Sequence, residues 1–271
     1  MASKCGEQFR RRYIEGEIER PSGAIISGIA LDRSVRANLG RKIETGWLMT
    51  PEQAGDVGRD QAARALEDFE PTERDSDYGE SAPQIRGAVI DEAVEVSQVH
   101  ARAIAPNIHP SHVARPFTLD ISGYDYQLVG EIDIREDEDG LIGIRDTKRT
   151  RKSPEKDAAD KSLQLTTYAL AEHVENGRPP DYVALDFVRP MKRGTLVDLR
   201  RGERTEADFR PLLDRVQVFI EGMQRGVFTP ANEESSWWCG PKWCGYYRTC
   251  RYVRRPVTSA PLVQIANNGR T

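Results

Sequence analysis

The stretch that most constrains this chain runs from Leu128 to Lys148. Apolar residues alternate at Leu128, Ile132 and Ile134, and after the acidic turn Glu136 to Gly140 they resume at Leu141, Ile142 and Ile144. A two-residue period on either side of a turn signal predicts two strands joined as a hairpin. Asp133 falls on the first strand. Asp146 and Lys148 lie two apart at the end of the second, so in an extended chain they point to the same face. In a sequence that is 30% charged, such a strand end is often just a solvated face. Two carboxylates and an ammonium crowded at the edge of a half-buried sheet are nevertheless costly unless their charge is compensated. A divalent cation held by oxygen ligands does that.

Two further features accompany this pair. Gly130 precedes Asp133 as G-x-x-D, and downstream Gln164 and Tyr168 are four apart on a predicted helix, hence on one face and able to address the same ligand. In this order and spacing, G-x-x-D, D-x-K and Q-x-x-x-Y resemble the RecB-like branch of the PD-(D/E)xK nuclease superfamily. The resemblance implies an α/β fold, a mixed central sheet flanked by helices as in restriction endonucleases. It also implies a phosphodiester-hydrolysing site with Asp133, Asp146, Lys148, Gln164 and Tyr168 as catalytic residues. Asp133, Asp146, Asp32 and the backbone carbonyl of Thr147 would hold Mg2+ or Mn2+. Arg149, Arg151 and Lys152 would follow a DNA backbone. The implied activity is a metal-dependent DNA exonuclease acting on single strands or ends, in recombination, repair or phage replication. The alternative is a catalytically silent DNA-binding or scaffold protein that keeps the fold.

Upstream, Ile29, Leu31, Val35, Leu39 and Ile43 are spaced for one helical face within residues 21–50. The family's first helix carries G-x-x-x-H, and here the matching positions are Gly28 and Asp32. Aspartate for histidine leaves either an oxygen ligand or a solvated helix residue. Residues 51–112 read as helical and polar, with a turn-rich segment, Glu70 to Pro83, expected to be a mobile loop. His100 lies on a helix within this region, where a lone histidine is more often structural, and His109 and His112 flank a proline. Beyond the hairpin, a charged linker to Lys161 leads to the Gln164–Val174 helix. Strands at 182–190 and 195–199 follow, then an amphipathic helix from Phe209 to Met223.

At 271 residues the chain can bury a substantial core. No apolar run approaches a bilayer span and the N-terminus has no apolar signal core, so no membrane association and a cytoplasmic location in a bacterial or phage-infected cell are expected. The formal charge of -4 excludes a globally basic nucleic-acid binder and requires any electrostatic footprint to be local. Cys239, Cys244 and Cys250, spaced C-x4-C-x5-C among tryptophans and tyrosines, need a fourth ligand to complete a tetrahedral or cubane set. Cys5 is the other cysteine. One cysteine before the core and three after it resemble nucleases of the same superfamily that hold a [4Fe-4S] cluster. The wider C-x4-C gap leaves Zn2+ or free thiols open. The expected organisation is therefore cysteine segments at 1–20 and 229–255, a nuclease domain at 21–228 with a helical insertion around 51–112, and a disordered tail at 256–271. The recombination setting implies a strand-annealing or single-strand-binding partner protein.

Overall fold

The computed structural model describes residues 4–253, and the tail expected from residue 256 lies outside them. The chain divides into two compact units, one formed by its two ends up to Glu19 and from Phe228, the other by Arg20–Val227. The elements in chain order are α1 Gly6–Phe9, continued by a π-helical turn Arg10–Ile14, then α2 Gly23–Thr45, α3 Pro51–Ala65 and α4 Ala82–Ala103. There follow β1 Pro110–Asp120, β2 Gln127–Glu138, β3 Leu141–Arg149, α5 Leu163–Asn176, β4 Tyr182–Met191, β5 Gly194–Gly202 and α6 Glu206–Gln224.

The sheet of the larger unit has the order β1-β2-β3-β4-β5. All neighbours are antiparallel except β3 and β4, which run parallel and are connected by α5. The expected hairpin forms, with Asp139 and Gly140 at its tip at φ 53° and 87°. Positive φ at both central residues is the requirement of the tight turn whose twist matches the strands it joins. The strand expected at 113–121 starts earlier, at Pro110, so the helical region ends sooner than its polar composition suggested.

Apolar side chains pack on both sides of the sheet. Ile144, Leu165, Ala169, Val183 and Phe209 form one cluster with α5 and α6, while Leu31, Val35, Leu39, Val96 and Val188 form another with α2 and α4. A third cluster, including Ile26, Ala62 and Val89, binds α2, α3 and α4 to one another. Thr50 caps α3 reciprocally with Gln53, and Pro51 sits where a missing N–H costs nothing. α3 lies so close to α4 that a Cβ on Gly58 would stand 2.5 Å from Ser97 Oγ, which only glycine avoids. On α2 the buried face is Ile26, Ala30, Leu31, Val35 and Leu39, whereas Ile29 and Ile43 are about half exposed at 45% and 44%. The stripe is therefore rotated from the expected one, because α2 packs against α3 and α4 as well as the sheet.

The segment expected to be a mobile loop, 70–83, carries its own anchors. Asp75 is buried and accepts hydrogen bonds from the backbone N–H of Gly23 (2.6 Å) and of Thr72 (2.9 Å). Tyr78 donates to Glu92 of α4 at 2.9 Å. Buried Glu172 on α5 accepts from Arg115 of β1 (2.8 Å) and Arg135 of β2 (3.0 Å), which fixes α5 across β1 and β2, the strand that carries Asp133.

In the smaller unit the two chain ends are joined by backbone and side-chain contacts. The Gly6 N–H donates to the Thr229 carbonyl at 2.7 Å, and Tyr246 donates to the Glu17 carbonyl at 2.6 Å. The Arg11 guanidinium lies 4.6 Å from the centre of the Tyr246 ring. Glu7 is buried between Arg10 (2.8 Å) and Arg251 (3.3 Å).

Candidate active site

The β2–β3 ladder runs from Glu138 opposite Leu141 to Ile134 opposite Arg145. The next step in this register brings Asp133 and Asp146 face to face where the paired ladder ends. Asp133 is pushed up to about 8, first by burial and then by the adjacent Asp146 carboxyl, against the opposing pull of Lys148 and Arg36. Asp146 is 2% exposed. Its Oδ2 lies 2.5 Å from Lys148 Nζ, yet no hydrogen bond is formed there, so this buried oxygen has an ion contact but no donor aligned on it.

Lys148 points with Asp146 toward α5. Its ammonium donates to Gln164 Oε1 at 2.7 Å, and Gln164 Nε2 in turn donates to the Tyr168 hydroxyl at 2.6 Å. The phenol is held above its ordinary value by burial and by the Asp133 charge, and so remains protonated. The hairpin and α5 thus bring together the five residues read as catalytic: two carboxylates, then a hydrogen-bonded row of ammonium, amide and phenol.

Two groups that the sequence did not single out complete the cluster. Arg36, one turn after Asp32 on α2, contacts Asp32 at 2.9 Å, Asp133 at 3.3 Å and also Glu131. The signals were the i, i+4 spacing of Asp32 and Arg36 and the two-residue spacing of Glu131 and Asp133. Asp32 is therefore engaged by a guanidinium, and burial raises its carboxyl above the usual range.

The opposite face of β3 reaches α4. Thr147 Oγ1 is 3.4 Å from Nε2 of His100, which is fully buried and lowered to about 3 by desolvation and by the Arg145 charge. Arg145 holds Asp186 through two bonds of 2.9 and 2.8 Å and Glu136 at 3.1 Å, all three being buried. Arg149 was expected to follow a DNA backbone, but its side chain is 9% exposed and is committed to Glu92 and the Tyr78 hydroxyl. Arg151 likewise donates to Glu92 at 2.8 Å and stacks 4.8 Å from the Tyr78 ring centre. The reason is local charge: Glu92 is buried on α4 and needs both guanidiniums, which hold its carboxyl low against the burial that would raise it. Arg151 and Lys152 are both exposed, whereas Arg149 is nearly buried.

Among the described residues, no group of three or more His, Cys, Asp or Glu side chains is gathered in a form that could hold a metal ion. The oxygen donors nevertheless suit a hard cation. Asp133 and Asp146 repel each other, Asp146 Oδ2 has no aligned donor, and the Thr147 carbonyl belongs to the same strand segment. The third acid, Asp32, is occupied by Arg36. In the smaller unit Cys5, Cys239, Cys244 and Cys250 are free thiols lining one cavity. Gln8 Nε2 donates to Cys244 Sγ at 3.1 Å and the Ala231 N–H to Cys5 Sγ at 3.4 Å. Burial and then the other three sulfurs raise the Cys239 thiol.

A mixed five-stranded sheet with helices on both faces, bearing an aspartate pair and a lysine where a hairpin opens, defines a nuclease fold. The model of the PD-(D/E)XK nuclease superfamily matches residues 2–251, and the chain belongs to that superfamily. Among solved structures it is similar to a protein from Eubacterium rectale described as a candidate exonuclease. The TM-score is 0.53 at 14% identity, covering 94% of this chain and 84% of that one. A weaker likeness, to the protein SSO0001, has TM-score 0.40 at 12% identity over 92% and 95% of the two chains. No curated protein matches the sequence. Among the described residues, no helix is long and apolar enough to cross a membrane.

Proposed function

We propose that this protein is a DNA exonuclease that uses Mg2+ or Mn2+ and acts on single strands or strand ends. The observation that carries this reading is the facing pair Asp133 and Asp146 beside the row Lys148, Gln164 and Tyr168. Asp133, Asp146 and the Thr147 carbonyl would hold the cation. When bound, such an ion polarises the scissile phosphate and lowers the pKa of water.

The chain's own residues do the rest. Lys148, fixed by Asp146 on one side and Gln164 on the other, presents an ammonium that needs no reorganisation to offset charge growing on phosphate oxygens. Because Gln164 donates to the Tyr168 oxygen, the phenolic proton is free to point at a phosphate or a water. Lys152, with an exposed side chain, would follow the strand.

The four cysteines are proposed to hold a [4Fe-4S] cluster, with Zn2+ as the competing occupant. The sulfurs lining one cavity and their N–H donors support this. Visible absorbance and iron content of anaerobically purified protein decide between the two metals, and a colourless protein carrying zinc would remove iron from the proposal.

The enzymatic test is incubation of the anaerobically purified full chain with end-labelled DNA of defined strandedness, with Mg2+, Mn2+ or EDTA. Cation-dependent release of nucleotides that disappears in Asp146→Ala and Lys148→Ala is expected. If the wild type releases no more than these variants, the protein is a silent DNA-binding scaffold. The contact of Arg36 with Asp133 is the observation that favours that second reading.

A further inference from the structure

Four carboxylates lie along the candidate site, three of them converging on the Arg36 guanidinium rather than on a common point that could hold an ion. Asp133 and Asp146 face each other, while Glu131 and Asp32 stand on the α2 side. Two cations answer them: Lys148 on Asp146, and Arg36 on the other three. Arg33, the further cation near Asp32, is exposed and screened by solvent. Fully ionised, the cluster carries a formal charge of minus two, which one divalent cation neutralises. The donors are divided in the same way. The buried Asp146 Oδ2 has the Lys148 ammonium beside it but no aligned donor, whereas Asp32, Glu131 and Asp133 are contacted by a single guanidinium.

We infer that Arg36 stands where a second metal ion would otherwise be held, so that this site takes one divalent cation and not two. This rests on the reading that Asp133 and Asp146 are ligands. Arg36 is well suited to the task. Its planar fork satisfies several carboxylates at once, remains charged at any working pH, and is only 23% exposed. A second ion could enter only by displacing the guanidinium from Asp32 and Glu131 together. Arg36 is thus a positioning residue: it holds Asp133 from the α2 side and limits the occupancy of the site.

The test counts Mn2+ bound to the full chain by equilibrium dialysis, with the electron spin resonance spectrum as a second readout. Site occupancy is the difference from Asp146→Asn, which cancels ions bound elsewhere. The wild type should bind one site-specific ion with an uncoupled spectrum, and Arg36→Lys, which keeps a cation, should do the same. Arg36→Gln should bind two, with the spectrum of a spin-coupled pair. Two coupled ions in the wild type would overturn the inference without recourse to any variant. So would a count of one or none in folded Arg36→Gln while Asp146→Asn still abolishes uptake. If wild type and Asp146→Asn bind equally, the ligand reading beneath it fails, and the inference fails with it for that separate, recognisable reason.

Discussion

Replacing Asp133 by asparagine tests the electrostatics of the site without any substrate. The folded protein holds the Asp133 carboxyl at about 8, whereas an unfolded aspartate titrates near 3.8. A carboxyl raised on folding is most favourable to the fold while protonated. Its contribution is therefore fully present below the unfolded value and is lost as pH rises through the folded one. Between these limits the slope is on the order of 1 kcal/mol per pH unit, so from pH 5 to pH 7 the metal-free wild type should lose roughly 2–3 kcal/mol. For a unit of this size that corresponds to a melting temperature lower by about 5–10 °C. Asp133→Asn keeps a polar side chain facing Asp146 and should lack this slope. The assay is urea unfolding of both proteins in EDTA at several pH values, read as the difference between them so that every other titration cancels. Saturating Mn2+ should flatten the wild-type slope, because the cation favours the ionised form that protons would otherwise relieve. Parallel pH profiles for the two proteins in EDTA would refute the argument that burial and Asp146 disfavour the Asp133 charge.

Three other outcomes follow from the opposite face of β3. Arg145→Met leaves the Asp186 and Glu136 carboxylates buried without their guanidinium and should cost about 3–5 kcal/mol in urea unfolding, whereas a loss under about 1 kcal/mol would show that these charges are not buried together. His100, lowered to about 3, is buried neutral: its contribution is present above the ordinary 6.5 and is lost as pH falls toward the folded value. Acid unfolding of His100→Gln should accordingly be shallower by about 1.4 kcal/mol per unit over that window, and an unchanged profile would count against burial of the ring. Arg149→Gln should lower stability by about 2 kcal/mol, because Glu92 then keeps only Arg151 and Tyr78 as partners, while leaving the salt dependence of DNA binding unchanged, whereas Lys152→Ala should reduce that salt slope by about one counterion. The reverse pattern would restore Arg149 to the DNA backbone.

What could be read in advance was what depends on neighbours in sequence. The hairpin was legible because its alternation and its Asp139-Gly140 tip are local. The pairing of Asp146 with Lys148 was legible because a strand places residues two apart on one face. Gln164 and Tyr168 were legible because a helix does so for residues four apart. What was not legible depends on partners far away. Arg149 and Arg151 look like a basic patch until Glu92, more than fifty residues earlier, is brought under them. The segment at 70–83 has the composition of a loop, and nothing local reveals that Asp75 ends on the backbone N–H of Gly23. The rotation of the α2 stripe depends on a third helix packing beside it, which its own period cannot encode. Arg36 was overlooked because a helix arginine is usually a solvated one, and its role appears only when β2 brings Glu131 and Asp133 to it.

The placement of these distant partners explains how β3 tolerates five polar residues in succession, Arg145 to Arg149, in the middle of a sheet. Left to solvent, alternate residues of such a segment would twist and slip, since nothing would fix the register. Here every second residue is secured from behind: Arg145 by Asp186 and Glu136, Thr147 against His100, Arg149 by Glu92. The intervening Asp146 and Lys148 are thereby held on the α5 face, with parallel pairing to β4 from Gly143 to Arg149 setting their height. Burying that polar network costs free energy that an apolar strand would not lose. On the proposed function, its return would be a carboxylate and an ammonium fixed before any phosphate arrives, which is where a charge-stabilising site gains most over water. It follows that substitutions at Arg145 or Arg149 should disturb catalysis through the placement of Asp146 and Lys148, although neither side chain faces the site.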